Sequence, residues 1–263
     1  MEYKEKLKGL AEIPEITNGR IERLTVFRDF FELLAIRISN GVDPVHLAQR
    51  HEFALKTSEK YTEAELDEFE RYFSDLLDIY AYNLKSGNLD DVLGRLYEKH
   101  GHLSREQELT PDGISIVISR ILMNIEKIIE QKGFLTLGDS TCGSGGIPLK
   151  VAEEMLLKGY NLTNNLVVLA NDINSRSVHM AYIQLSMYGI PAVVTQADIL
   201  SLSEDTRWYT PIYILGNWVW RSPVGHTTAR NRDDELLKMM THPIYTAIRR
   251  IEGWPPKFPD DDQ

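Results

Sequence analysis

Three aspartates placed at the ends of short apolar runs carry the chemistry of this sequence. Asp139 follows Phe134–Leu137 and opens Asp139-Ser-Thr-Cys-Gly-Ser-Gly-Gly146; Asp172 follows Leu166–Ala170; Asp198 follows Ala192–Gln196. Such runs read as strands, and three strand-end carboxylates at one edge of a parallel sheet converge on one crevice, where the ligands of open α/β sheets bind. The first carboxylate suits an ammonium, the second the hydroxyls of a ribose, the third the exocyclic amine of an adenine. A single strand-end Asp is more often a turn or a cap. Three of them beside a glycine loop point to a ligand site. Glycine lets the backbone approach a ligand and take positive φ, so Thr141, Gly143, Ser144 and Gly145 join Asp139 as candidate contacts, with Ile173 beside Asp172.

Spacing narrows the ligand. Gly143-x-Gly145-Gly146 is not the G-x-G-x-x-G of dinucleotide folds, and Asp172 lies farther along than the ribose-binding acid of such folds. No Gly-Lys-Ser/Thr follows, which excludes a phosphate-binding P-loop. No histidine or cysteine set has metal-ligand spacing, His100 and His102 included. A carboxylate inside the loop repels a pyrophosphate and welcomes an amino-acid ammonium, which points to S-adenosylmethionine. Cys142 sits within the loop itself, a poor place for the nucleophile of a cytosine-C5 enzyme.

The elements that position these residues follow from periodicity. Phe27, Phe31, Leu34 and Ile38 recur at helical spacing up to Asn40-Gly41. Asp43-Pro44 reads as an N-cap opening a helix to about Leu55. Thr62-x-x-Glu65 is a capping box; it opens a long helix with Phe69, Phe73, Leu76, Leu77, Tyr80 and Leu84 on one face, ended by Gly87-Asn88. A short helix is expected over 90–99 and a further helix over 112–131. Strands are expected over Phe134–Leu137, Leu166–Ala170, Ala192–Gln196 and Pro211–Leu215, with helices over Ile147–Lys158 and Ser175–Tyr188. This βαβα rhythm predicts a parallel sheet with helices on both faces. The division is a helical N-terminal domain over 1–103, an α/β domain over 104–253, and an extended or disordered tail over 254–263.

The chain has 263 residues, a formal net charge of −10 and one cysteine, so no internal disulfide is available. Hydrophobic residues make up 43% and charged residues 26%, an ordinary globular balance. No apolar run approaches the length of a bilayer span, and the first residues carry no signal-peptide pattern; the expectation is a cytoplasmic protein without a membrane partner. The acidic balance argues against a nucleic-acid coat. Arg221, Arg230, Arg232, Lys238, Arg249, Arg250 and Lys257 nonetheless make the C-terminal part locally basic, compatible with an enzyme that touches DNA.

With these residues assembled, the chain resembles the N6-adenine DNA methyltransferases, most closely the methylation subunit of type I restriction-modification systems. Asp139–Gly146 is similar to that family's Asp-Pro-Thr-Cys-Gly-Ser-Gly-Gly, differing at Ser140. Glu106-Gln107-Glu108-Leu109-Thr110-Pro111 is similar to its Gly-Gln-Phe-Phe-Thr-Pro segment, which implies that Gln107, Thr110 and Pro111 close over the cofactor. Asn171-Asp172-Ile173-Asn174, with a following helix that ends Tyr188-Gly189-Ile190, is similar to its Gln-Glu-Ile-Asn segment and the helix ending His-Gly-Ile. The resemblance covers most of residues 20–220. It implies a Rossmann-like S-adenosylmethionine-dependent methyltransferase sheet preceded by an all-helical domain, and double-stranded DNA as substrate, with the target base flipped. A specificity subunit or a second copy of the chain is the implied partner.

The family's catalytic Asn-Pro-Pro-Phe/Tyr reads Asn217-Trp218-Val219-Trp220 here. The resemblance makes Asn217 and the Trp218 carbonyl acceptors for the adenine amine and Trp220 the stacking plane, with no covalent enzyme intermediate. Trp218 and Val219 replace both prolines, so the stiff backbone that aims the carbonyl is lost. About 43 residues follow Trp220 and hold one expected helix, Arg232 to Ile251, but no evident strand, which shortens the sheet. A second reading follows: a catalytically degenerate methyltransferase fold that binds S-adenosylmethionine or DNA as a regulatory or assembly subunit.

Overall fold

The computed structural model describes residues 2–100, 124–198 and 203–221. The segment holding Gln107, Thr110 and Pro111, the start of the helix expected over 112–131, the basic stretch beyond Arg221 and the tail lie outside the described residues.

The first hundred residues form α1 (Glu2–Gly9), a 3-10 turn (Leu10–Glu15), α2 (Arg23–Asn40), α3 (Leu47–Ser58), α4 (Glu63–Ser86) and α5 (Val92–His100). In α2 the apolar Phe27, Phe30, Phe31 and Leu34 recur on one face and are buried. The capping box forms as expected: Thr62 Oγ1 accepts from the Glu65 amide at 3.3 Å and Glu65 Oε2 accepts from the Thr62 amide at 2.8 Å. At the other end Gly87 terminates α4 at φ 70°, a left-handed cap. The buried face of α4 differs from the expected one. Tyr72, Ile79 and Asn83 join Phe69, Phe73, Leu76 and Tyr80 inside, while Leu77 and Leu84 are exposed. The Asp43-Pro44 cap is also displaced. Helix α3 begins at Leu47, and the Asp43 carboxylate instead accepts from the Val45 amide at 3.2 Å in the turn before it.

The sheet follows α6 (Ile125–Lys132) and contains β1 (Leu135–Asp139), β2 (Leu166–Asp172), β3 (Ala192–Asp198) and β4 (Ser203–Tyr209), in that spatial order. Helix α7 (Gly146–Leu157) and a short turn, α8 (Leu162–Asn165), connect β1 to β2; α9 (Ser175–Met187) connects β2 to β3. The first three strands are parallel, but β4 is antiparallel to β3. The fourth expected strand is therefore corrected twice. Pro211–Leu215 is a helix, α10, with Pro211 at its first turn, and Trp218–Arg221 forms α11. Five apolar residues cannot by themselves choose between strand and helix; a proline after Thr210, suited to an N-terminal helical turn, decides it.

Strand alternation sorts the two faces. Leu166, Val168 and Ala170 of β2, with Ala192 and Val194 of β3 and Trp208 of β4, belong to a large core that runs back through α9 to the N-terminal helices. Val167, Val193 and Tyr209 point to the other face, into a smaller cluster with Tyr213, Ile214 and Trp218. The helices of residues 2–100 thus share one hydrophobic core with the sheet.

A buried ion cluster ties α3 to β4. Arg50 Nη1 binds Asp43 Oδ2 at 2.7 Å and the Ser39 hydroxyl, Nη2 donates to the Arg207 carbonyl at 2.8 Å, and the guanidinium lies 4.2 Å from the Trp208 ring centroid. Burial opposes ionisation of Asp43, but His46 and Arg50 outweigh it and hold the carboxyl below its ordinary value. No helix among the described residues is long and apolar enough to cross a membrane.

Candidate functional site at the carboxyl ends of the strands

Parallel pairing brings Asp139 level with Ala170, and Asp172 level with Gln196 two residues before the end of β3. Asp139, Asp172 and Asp198 therefore stand at the same edge of the sheet, as their spacing predicted. Between the first two lies the glycine loop. The Cys142 amide donates to the Asn171 carbonyl at 2.8 Å, continuing the β1–β2 ladder one step into the loop. The Gly143 amide donates to Asp172 Oδ2 at 2.9 Å, and the Gly145 amide to the Cys142 carbonyl at 2.8 Å. Gly143 and Gly145 hold φ of 55° and 96°, where a side chain is strained. Helix α7 starts at the next residue, so its free amides face this edge.

The two nearer acids are held differently. Asp172 accepts from the Gly143 amide through Oδ2 and from the Asn174 amide at 2.8 Å through Oδ1. A carboxylate has about four acceptor sites, so acceptor capacity remains. Asp139 accepts from the Thr141 amide at 3.2 Å through Oδ1, while its Oδ2 is buried without any hydrogen-bond partner. Burial pushes the Asp139 carboxyl up from its ordinary value; the Thr141 amide opposes this and the neighbouring Asp172 charge adds to it. An orphaned, half-desolvated carboxylate oxygen beside a second negative charge is a strong acceptor for a cationic donor.

Other predicted residues find definite places. Ile173 is 67% exposed directly after Asp172, an apolar side chain free to lie against a flat ligand. Thr141 is exposed on the loop. Asp198 ends β3 opposite Ser203, beyond a bulge at Gln196–Ala197, and is part-buried. Ser144 has its hydroxyl engaged with Asp91 at 2.6 Å and is buried, which leaves its backbone as the part that faces the loop. Burial, with the charges of Asp172 and Asp139, pushes the Cys142 thiol far above its ordinary value, which removes it as a nucleophile.

Sequence reasoning missed the supports of this edge. Asn171 Nδ2 donates to the carbonyls of Ser140 at 3.2 Å and Ala197 at 3.1 Å, and its Oδ1 accepts from Thr195 Oγ1 at 2.8 Å. One amide thereby joins the loop, β2 and β3. Its place immediately before Asp172 was the available signal. For Asp91 and Gln184, which grip Ser144 from the far side, no local pattern exists.

The expected catalytic residues are not brought to this edge. Trp218 is fully buried on the second face of the sheet. Its ring meets Phe134 edge-on at 5.0 Å and its Nε1 donates to the Thr163 carbonyl at 3.0 Å. Phe134 precedes β1 and Thr163 precedes β2, so the contact lies at the amino ends of the strands. At about 3.3 Å per residue, the six steps from Leu166 to Asp172 put it about 20 Å from the aspartate edge. Asn217 is buried in a left-handed turn at φ 53°, with its Nδ2 unpartnered. Trp220 is part-buried against the same second-face cluster. The physical reason for this departure is the reversal at β4. An antiparallel strand returns the chain to the amino ends, and the next residues fold where it arrives.

No protein-family model matches the chain, and no curated protein matches it. Among solved structures, a candidate class I S-adenosylmethionine-dependent methyltransferase from Listeria monocytogenes is 16% identical with a TM-score of 0.45, over 73% of this chain and 52% of that one. The chain thus spans about half the length of that protein.

Proposed function

We propose that this chain is the S-adenosylmethionine-holding part of a methyltransferase of the DNA adenine-N6 kind, and that Asn217 does not serve its transfer. The observation that carries the cofactor reading is the buried, unpartnered Oδ2 of Asp139 beside the glycine loop and the first turn of α7. Asp139 accepts from the ammonium of the methionine end, and the loop backbone over Gly143–Gly145 approaches that end closely because no side chain intervenes. Asp172 offers its remaining acceptor sites to the ribose hydroxyls, and Ile173 lies against the adenine face. Asp198 is the acceptor for the adenine amine. When bound, the cofactor supplies a methyl group on a sulfonium centre. The adenine-N6 substrate rests on the resemblance of Asp139–Gly146, of 106–111 and of Asn171–Asn174 to that family. Cofactor binding without transfer by the isolated chain is favoured by the burial of Asn217 and Trp218 at the opposite ends of the strands.

Calorimetry with S-adenosylmethionine, paired with tritiated methyl transfer to unmodified DNA, tests both halves. The chain is expected to bind the cofactor, and Asp139→Asn to weaken binding by about tenfold or more, as befits a charge-assisted hydrogen bond. Because the folded-state carboxyl of Asp139 titrates above its ordinary value of 3.8, affinity should fall as pH drops through that raised range, and the Asn variant should lack this dependence. Absence of binding overturns the cofactor reading. Transfer by the isolated chain that Asn217→Ala abolishes overturns the exclusion of Asn217.

A further inference from the structure

The glycine loop is gripped from behind by the N-terminal helices. Asp91, at the start of α5, accepts from Ser144 Oγ at 2.6 Å through Oδ2, and through Oδ1 from Gln184 Nε2 at 2.7 Å and the Gly94 amide at 2.9 Å. Gln184, fully buried in α9, completes the grip. Its Nε2 also donates to the Ser144 carbonyl at 2.8 Å, and its Oε1 accepts from Tyr80 Oη at 3.1 Å and the Leu93 amide at 3.2 Å. Both donors and both acceptor sites of that amide are therefore used, and Ser144 is held by side chain and main chain together. Space is kept for this arrangement on both sides. A methyl group at Gly94 would fall closer than 3.0 Å to both Asp91 oxygens and to Ser144 Oγ, and one at Gly146 would meet Asp91 Oδ2 at 3.3 Å.

We propose that Asp91 is a positioning residue for the cofactor loop: through Ser144 it fixes the turn on which Gly143 and Gly145 present their backbone, so that affinity for S-adenosylmethionine is set in part by the helical region. This rests on the cofactor reading given above. Residues 91 and 144 lie 53 positions apart and on different elements, so the grip exists only in the folded chain. A surface aspartate capping its own helix would need only the Gly94 amide. Asp91 also takes a hydroxyl from the loop and an amide from α9.

Three variants and two ligands test the inference. Asp91→Ala removes all three acceptor contacts, and Gly94→Ala wedges Asp91 and the Ser144 hydroxyl apart from the α5 side, with the loop sequence unaltered. Asp91→Asn keeps the shape and the acceptor oxygen, and the Ser144 hydroxyl can turn to accept. Calorimetry is done with S-adenosylmethionine and with adenosine, which lacks the methionine end. Hydrogen exchange is followed at Gly143 and Gly145. Asp91→Ala and Gly94→Ala should weaken S-adenosylmethionine binding by about tenfold, leave adenosine within about twofold, and speed exchange at both glycines but not within β2 and β3. Asp91→Asn should recover most of the affinity. Unchanged binding and exchange in Asp91→Ala overturns the proposal, as does an equal loss of both ligands, which marks a general structural role. If the unaltered chain binds neither ligand, the cofactor reading fails, and exchange at Gly143 and Gly145 alone decides whether Asp91 holds the loop.

Discussion

Replacing Trp218 by alanine separates a core residue from a base-stacking one. The indole is fully buried, packs edge-on against Phe134 at 5.0 Å, donates to the Thr163 carbonyl at 3.0 Å, and lies under the Arg221 guanidinium at 3.9 Å. Removal of a buried Trp costs about 3–5 kcal/mol, with the spread set by how far the cavity collapses. Collapse is limited here, because the site is bounded by two strand ends. The Thr163 carbonyl also loses its donor, a contribution of about 1–3 kcal/mol that overlaps with the first. A total of about 4 kcal/mol follows, which at a slope of about 3 kcal/mol per M lowers the urea midpoint by more than about 1 M. Far-UV circular dichroism reads this without relying on the deleted fluorophore. Trp218→Phe, which keeps one ring but loses the indole donor and the volume of the second ring, should lose about 1–3 kcal/mol. S-adenosylmethionine affinity of the folded variants should be unchanged, since about 20 Å of sheet intervenes. The reasoning is refuted if Trp218→Ala unfolds with the unaltered chain while its ligand binding or methyl transfer collapses; the ring would then belong to a pocket.

Two further outcomes test the interior. His179 is buried with Nδ1 unpartnered, and burial, aided by the Arg50 charge, lowers its pKa from 6.5 to about 4. Below pH 6.5 the unfolded chain takes a proton that the folded one refuses, so stability falls between about pH 6.5 and 4 and levels off below; the full difference is about 3 kcal/mol. Urea unfolding of His179→Phe across this range should lack that component, and an identical pH profile would show that His179 titrates normally. Arg50→Met leaves the buried Asp43 carboxylate without its permanent cation, although His46 and two backbone amides still meet it, and should cost about 3 kcal/mol. Adding Asp43→Asn should restore part of it in the same assay, and no restoration would mean that the loss came from packing on Trp208.

The parts legible in the sequence were those whose cause is local. The glycine loop with its acid, the Thr62–Glu65 box and the three apolar runs before Asp139, Asp172 and Asp198 each carry their reason within about ten residues. Ser203–Tyr209 carries no strand pattern in the sequence because its first five residues are polar or charged, as befits a strand at the edge of a sheet. Its burial of Trp208 and Tyr209 depends on α9 and α10, which the local pattern does not name. Tyr72 and Leu77 of α4 border the same stripe, and only the packing of α1, the 3-10 turn and α2 against it decides which is covered. The misplacement of Asn217 follows from β4, since a topology of parallel strands would have carried it to the opposite edge. The hold of Asp91 on Ser144 and Gln184 had no legible signal, because only its Gly94 cap is local and the other two partners come from distant elements.

The single core that unites the helices with the first face of the sheet has a thermodynamic corollary. Elements that share one interior melt together, so free energy gained at the sheet edge is distributed over all of them. A ligand held there at a hundred times its dissociation constant adds about 2.7 kcal/mol to the whole unit, including α2 and α4, which do not touch it. Ligand bound at Asp139 would thereby reach the outer surface of the N-terminal helices as slower opening, without any change of shape.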